Sequence, residues 1–293
     1  MRVFLTGASG FIGSAIVQEL MNAGHQVIGL ARSDSAAKSL AANGVQVHRG
    51  DLEDLDSLRS GGAQSDGVIH TAFNHDFSKF QANCEADRKV IETLGDVLAG
   101  SDRPLLITSG TGHGKEGQIR TEDDAALPSS ISPRSASEEA ADSVAAKGVR
   151  VSVVRLPQVH DRFKQGLITY VIAMAREKGV SAFIGEGLNR WPSVHVLDTA
   201  PLYRLALEKG MKGARFNAVA EEGIPFREIA EAIGRGLKIP VVSLSPEKAG
   251  EHFGWMGAFA GFDMPASSAK TQERLGWRPT HRGLIADLDE AAY

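Results

Sequence analysis

Along the first 160 residues, short apolar runs of β type alternate with longer stretches whose apolar positions recur every three or four residues. The runs at 2–6, 26–30, 45–48, 67–71, 105–109 and 149–155 predict strands. The stretches at 12–22, about 35–42, about 80–99 and 135–147 predict helices. Ile12, Ile16 and Leu20 fall at i, i+4 and i+8 with Val17 and Met21 beside them, so the first helix presents one apolar face, and Gly24 stands just past its end as a stop. Strands separated by helices pair in parallel through crossovers, so the rhythm predicts βαβ units and a doubly wound α/β fold. After Arg155 the pattern loosens around Pro157, Pro192, Pro225, Pro240, Pro265 and Pro279. Helices are expected there at 165–178, 198–209, 226–237 and 283–292, and strands at 182–185, 194–196 and 216–219 that return to the main sheet. The expected division is a nucleotide-binding domain over 1–160 and a smaller substrate-binding lobe over 161–293.

Composition narrows the class of protein. At 293 residues, 42% apolar and 23% charged, the chain has enough apolar material for a large core and is neither fibrous nor disordered in character. Thirty-two basic against 36 acidic residues leave a net charge of −4, without a basic patch interleaved with aromatics, which argues against nucleic acid or an anionic membrane as partner. A small-molecule partner is expected instead. Cys84 is the single cysteine, so no intrachain disulfide or multi-cysteine metal motif can form. Arg2 to Leu5 already reads as strand, which leaves no room for an export signal ahead of it, and no apolar run reaches the roughly 18 residues of a membrane span. A cytoplasmic location is expected.

The sharpest local signal is Thr6-Gly7-Ala8-Ser9-Gly10-Phe11-Ile12-Gly13, between the first strand and the first helix. Glycine admits backbone angles closed to other residues and lets phosphate oxygens approach backbone N–H groups. The helix start adds unpaired donors and a positive dipole end. A pyrophosphate fits such a turn, with Gly7, Ser9, Gly10, Phe11, Ile12 and Gly13 around it. The spacing is GxxGxxG, not the GxGxxG of the usual dinucleotide fingerprint.

That turn resembles the TGxxGxxG motif of the extended short-chain dehydrogenase/reductases, the family that includes NAD-dependent epimerases and dehydratases. Further matching segments lie in order: Gly50-Asp51-Leu52, Val68-Ile69-His70-Thr71-Ala72, Thr108-Ser109-Gly110, Arg155-Leu156-Pro157, Val194-His195-Val196-Leu197-Asp198 and Leu275-Gly276-Trp277-Arg278-Pro279. The resemblance spans nearly all of the chain and implies a Rossmann-type parallel sheet with a smaller C-terminal substrate lobe. It also implies that Asp51 and Leu52 flank an adenine and that Thr71, Ala72 and Phe73 line the ribose and pyrophosphate. Thr108, Leu156, Pro157 and Val159 complete the expected cofactor set. In dinucleotide folds an acid near the end of the second strand binds the ribose 2′-hydroxyl of NAD, whereas an arginine accommodates the 2′-phosphate of NADP. Here Arg32 and Ser33 precede Asp34, so NADP is expected ahead of NAD. A homodimer is the assembly common in the family, though the charged helix at 80–99 suits solvent as well as a polar interface.

The family's proton-transfer pair, a Tyr and Lys spaced YxxxK, is missing. None of Tyr170, Tyr203 and Tyr293 is followed four residues on by Lys, and the corresponding stretch, Ser132 to Glu139, holds neither residue. The resemblance is therefore to an atypical branch, strong for binding and weak for catalysis. The leading expectation is an NADP-dependent oxidoreductase moving a hydride to or from a small carbonyl or hydroxyl substrate. Ser109 and Thr111 would bond the substrate oxygen, and water or His113 would replace the tyrosine proton. One alternative is a catalytically silent NADP-binding sensor; another is an NAD-dependent sugar-nucleotide epimerase or dehydratase. His160 and His195 are weaker candidates, and Arg190 with Trp191 offers a cation and an apolar wall to substrate. The scattered histidines lack metal-ligand spacing, no GxSxG occurs, and Glu116 follows Lys115 where a P-loop needs Ser or Thr.

Overall fold

The computed structural model describes residues 1–112, 117–291 and 293. In chain order the first half contains β1 (Arg2–Thr6), α1 (Phe11–Asn22), β2 (Gln26–Ala31), α2 (Asp34–Ala42), β3 (Gln46–Arg49), α3 (Leu55–Ala63), β4 (Gly67–His70), α4 (Phe80–Leu98), β5 (Pro104–Gly110), α5 (Ala136–Ala146) and β6 (Arg150–Leu156). The second half contains β7 (Gln158–His160), α6 (Ile168–Lys178), β8 (Ser181–Ile184), β9 (Arg190–His195), α7 (Val196–Lys209), β10 (Arg215–Asn217), β11 (Glu221–Pro225), α8 (Phe226–Leu237), β12 (Val241–Leu244), α9 (Pro246–Phe253), α10 (Gly257–Gly261), α11 (Ala269–Leu275) and α12 (Leu284–Asp289).

Seven strands form one parallel sheet in the order β10-β6-β5-β4-β1-β2-β3. This is the doubly wound α/β fold expected. Alternation along β1 explains the layering: Val3 and Leu5 point into one core with Ile16, Val17 and Leu20 of α1 and Leu202, Tyr203 and Ala206 of α7. Phe4 points the other way, toward Leu58 of α3, Ile91 and Leu94 of α4 and Val144 of α5. Both faces are covered, so the inner strands read as continuous apolar runs. Strand order reverses at β1, which lies between β4 and β2; in such sheets the crevice for a ligand opens there, at the carboxyl ends of the strands.

A separate core gathers Ile168, Val171 and Ile172 of α6, Trp191, Phe226, Ile229 and Ile233 of α8, Phe253, and Leu284 and Leu288 of α12. Two small sheets serve it, β11-β9-β7 and β12-β8. The expectation that the 182–185 and 194–196 segments return to the main sheet is thus corrected: β8 pairs with β12, and β9 pairs with β7 and β11. β10 lies in the main sheet beside β6. β9 also starts earlier than expected and runs through Pro192. That residue has no N–H to give, and opposite it β11 carries an extra residue between Glu221 and Ile224. Among the described residues no helix is long and apolar enough to cross a membrane.

Candidate functional site

The glycine turn sits at the carboxyl end of β1 and is closed by packing against the loop after β4. Gly7 has φ +75°, and a Cβ there would come within 2.7 Å of Thr71 Oγ1 and 2.9 Å of the Ala72 nitrogen. A Cβ on Gly13 would lie 2.0 Å from the Gly7 carbonyl oxygen, so α1 can begin this close to the turn only with glycine at that position. Gly10 is the N-cap residue of α1 and no side chain caps the helix. The N–H groups of its first turn therefore face an exposed cradle at Ser9 and Gly10, the donor set a pyrophosphate takes. Phe11 and Ile12 flank it half-buried, and Lys164, in the loop after β7, reaches to 5.7 Å from the Phe11 ring.

Past the end of β2, the Arg32 side chain is 84% exposed and stands 3.7 Å from Asp51 Oδ2. The Ser33 hydroxyl caps α2 by accepting from the Ala36 N–H at 3.2 Å. Asp34 is engaged by Arg49 at 2.8 Å, and Arg49 also donates to the Ser33 carbonyl at 2.7 Å. Asp51 Oδ1 accepts from the Glu53 N–H, while Leu52 is half-buried against the core on the α3 face.

Between β1, β4 and β5 a chain of buried polar groups crosses the ends of the sheet. Thr6 Oγ1 meets His70 Nδ1 at 2.7 Å and accepts from the Ala72 N–H at 3.3 Å. His70 Nε2 meets Asp87 Oδ1 of α4 at 2.9 Å. Asp87 Oδ2 accepts from Arg134 at 3.0 Å and from the Ser137 hydroxyl at 2.5 Å. Arg134 also donates to the Thr108 carbonyl at 2.9 Å and lies 4.3 Å over the Phe73 ring. The Thr108 hydroxyl is spent inside the protein, on the His70 carbonyl at 2.8 Å and Tyr203 at 2.7 Å. Complete burial raises the Tyr203 phenol well above its ordinary range, so Tyr203 does not titrate in ordinary buffers.

Ser109 and Arg134 line one cavity of about 30 Å³ together with Gly110, Ser132, Ser135 and Glu138. Thr111 is buried next to it, its N–H on the Leu156 carbonyl and its carbonyl accepting from Arg120. Leu156 and Pro157 are half-buried, and Val159 faces the core shared with α7. His113 lies outside the described residues. Of the weaker candidates, Trp191 is a core residue against Phe226, not a wall for substrate, and Arg190 is held by both oxygens of Asp263 at 2.8 and 3.0 Å. His160 is fully buried on Asp287 at 2.7 Å, and burial lowers its pKa.

Two members of this cluster escape sequence reasoning. The stretch Ser132 to Glu139 lacks the Tyr and Lys of the family pair, yet it contains an i, i+4 pair, Arg134 and Glu138. Arg134 faces the cleft, whereas Glu138 turns into a buried ion pair with Arg155 at 2.7 Å and approaches Arg215 at 3.4 Å. The four-residue spacing was the signal available for Arg134. For Asp87 there was none, since it is one of several acids on α4.

The family model described as NAD dependent epimerase/dehydratase family matches residues 3–218. An uncharacterized protein of Schizosaccharomyces pombe is 50% identical over 298 residues, covering 100% of each chain. The UDP-glucose 4-epimerase of Streptomyces lividans is 26% identical over 326 residues, covering 98% of this chain and 94% of that one. Among solved structures, DesIV (dTDP-glucose 4,6-dehydratase) from Streptomyces venezuelae with NAD and TYD bound gives a TM-score of 0.78 at 19% identity, covering 99% of this chain and 95% of that one. That last likeness concerns the fold.

Proposed function

The chain belongs to the NAD-dependent epimerase/dehydratase family, and from that premise we propose that it is an NADP-dependent oxidoreductase acting on a small carbonyl or hydroxyl substrate in the cleft above β1, β4 and β5. The observation that carries the choice of cofactor is the end of β2. Arg32 is free to swing toward a 2′-phosphate beside the Ser33-capped start of α2, while Asp34, the acid that would favour NAD, is turned to Arg49 in an exposed pair. The 3.7 Å contact between Arg32 and Asp51 is solvent-exposed and costs little to break.

Bound nicotinamide supplies or accepts the hydride; the chain's part is orientation and charge. In the reducing direction the carbonyl carbon gains the hydride, the π electrons move to oxygen, and that oxygen takes a proton. Ser109 and Arg134 are the groups proposed to hold the oxygen. The guanidinium stabilises negative charge as it develops but has no proton to give at neutral pH, so the proton comes from water, with His113 as the second source. Thr111 is proposed to bond the same oxygen from the neighbouring loop.

Calorimetric titration of the purified chain with NADPH and NADH, repeated on Arg32→Ala, tests the reading. A charge-assisted pair to a phosphate is worth ~1.5–3 kcal/mol, so a preference for NADPH of about 10- to 150-fold is expected in the wild type and should vanish in the variant. Equal affinity for both nucleotides, or a preference untouched by the substitution, would refute the phosphate-reading role. Protein that purifies with tightly held NAD would favour instead an epimerase, the rival suggested by the full-length likeness to the Streptomyces enzyme.

A further inference from the structure

Beside Arg134 the loop after β4 meets the second lobe in a band of aromatic rings. Phe73, under the Arg134 guanidinium, meets Phe80 edge-on at 6.3 Å. Phe77 stacks on Trp255 at 4.4 Å with the planes 15° apart. The edge of Tyr170, on α6, closes on Phe77 at 5.8 Å and on Trp255 at 5.3 Å. Phe259, on α10, meets Phe80 at 6.5 Å and Trp255 at 6.2 Å. The rings thus come from both lobes and meet at the carboxyl ends of the parallel strands, the side on which such sheets bind ligands.

None of these rings is buried, and two are the most open: Trp255 is 43% exposed and Tyr170 37%. The other tryptophans, Trp191 and Trp277, are 0% and 2% exposed, so the chain otherwise buries its indoles. Large aromatic faces left open next to a polar anchor are the lining of a site that takes an apolar body and fixes one polar end. A sugar nucleotide asks for something else, cations for its diphosphate and donors for its hydroxyls. Arg190, the cation the second lobe offers by sequence, is already bound by Asp263.

We propose, resting on the hydride-transfer reading above, that the substrate is a flat aromatic carbonyl compound or the corresponding alcohol. Its ring lies on Trp255 beside Tyr170, on the face that Phe77 leaves open, and its oxygen points past Phe73 to Ser109 and Arg134. The ring fills the exposed face of Trp255, so a planar ring is preferred over a puckered one of the same size.

The test is calorimetry on the full chain, saturated with NADP⁺ and separately free of nucleotide, titrated with acetophenone, with cyclohexyl methyl ketone as the puckered analogue, and with UDP-glucose. Acetophenone is expected to bind about three- to tenfold more tightly than cyclohexyl methyl ketone, the margin that aromatic stacking gives, and UDP-glucose to give no saturable heat. Trp255→Ala should abolish that margin, Trp255→Phe should retain most of it, and neither should change the affinity for NADP⁺. Because Trp255 is surface-exposed, neither substitution empties the core. Equal binding of the two ketones, binding of UDP-glucose alone, no binding of any of the three, or a margin that survives Trp255→Ala would each overturn the proposal. A preserved margin for acetophenone without NADP⁺ binding would defeat the cofactor reading and leave the aromatic site standing. Normal NADP⁺ binding without the margin would do the reverse.

Discussion

Asp87 remains a carboxylate in surroundings that would ordinarily neutralise it. Burial pushes its pKa up, but the Arg134 charge and the hydrogen bonds from His70 and Ser137 outweigh burial and bring it down to about 2. His70 Nε2 meets Asp87 while its Nδ1 meets the Thr6 hydroxyl, which in turn accepts the Ala72 N–H. One ionised carboxylate therefore fixes both the cation beside Ser109 and the loop that packs against Gly7. Its folded pKa lies below its ordinary value, so its contribution to stability is complete above about pH 4 and is lost as pH falls from there through about 2, a loss of roughly 2 kcal/mol. Asp87→Asn should cost ~2–4 kcal/mol at pH 7 by leaving Arg134 without its buried partner, and should flatten that acid limb. Urea midpoints measured from pH 5 to pH 2 decide it; parallel declines in variant and wild type would mean that Asp87 does not hold the cluster. The glycine turn was legible beforehand because its residues are contiguous. The cluster behind it was not, because His70–Asp87 and Asp87–Arg134 join positions 17 and 47 residues apart on separate elements.

At the scale of elements, the contact of α4 with α5 depends on a glycine inside a helix. A Cβ on Gly95 would meet both methyl groups of Val144 at 2.6 Å, so the two helices approach only because that atom is missing. Gly95→Ala gains about 1 kcal/mol of helix propensity but must force the helices apart, and overpacking of this kind costs ~1–3 kcal/mol. A net loss is expected. Gly250 is the contrasting case: it lies in α9, exposed, with no atom within 4 Å of the Cβ it would carry. Gly250→Ala should therefore stabilise by ~0.5–1 kcal/mol. Thermal melts of the two variants moving in the same direction would contradict this account. The same physics explains which elements the sequence reveals. α1 was legible because its apolar face repeats at helical spacing. α3 was not, because Leu55–Ala63 holds two leucines and the weak helix formers Gly61 and Gly62; what fixes it is tertiary, since a Cβ on Gly61 would lie 2.4 Å from the Phe4 ring. β11 and β12 are short segments whose pairing is set by β9 and β8 and not by any alternation of their own.

At the scale of the whole molecule, the end of the chain stitches the two cores together. Leu275 and Trp277 belong to the core under the main sheet, and the Trp277 indole N–H donates to the Asp198 carbonyl at 2.8 Å. A few residues later Leu284 and Leu288 enter the second core. Between them His281 bonds Asp198 at 2.7 Å and stacks on His195 at 4.9 Å, while His160 at the end of β7 bonds Asp287 of α12 at 2.7 Å. Burial lowers the pKa of both His160 and His195; for His160 it outweighs the pull of Asp287, Glu221 and Asp161, and for His195, joined by the His160 and His281 charges, it outweighs the pull of Asp287 and Asp198. A histidine lowered in the folded state stabilises it fully above the ordinary value near 6.5 and loses that contribution as pH falls below it. The melting temperature should therefore be steady above pH 7 and decline below about 6.5. His160→Gln should cost ~1–3 kcal/mol at pH 7.5, by weakening the bond to buried Asp287, and should shrink the decline. Scanning calorimetry of both proteins from pH 8 to pH 5 makes the comparison. An equally steep decline in the variant would move the pH sensitivity away from this junction, and the stitch would then be a matter of apolar packing by Trp277, Leu284 and Leu288 alone.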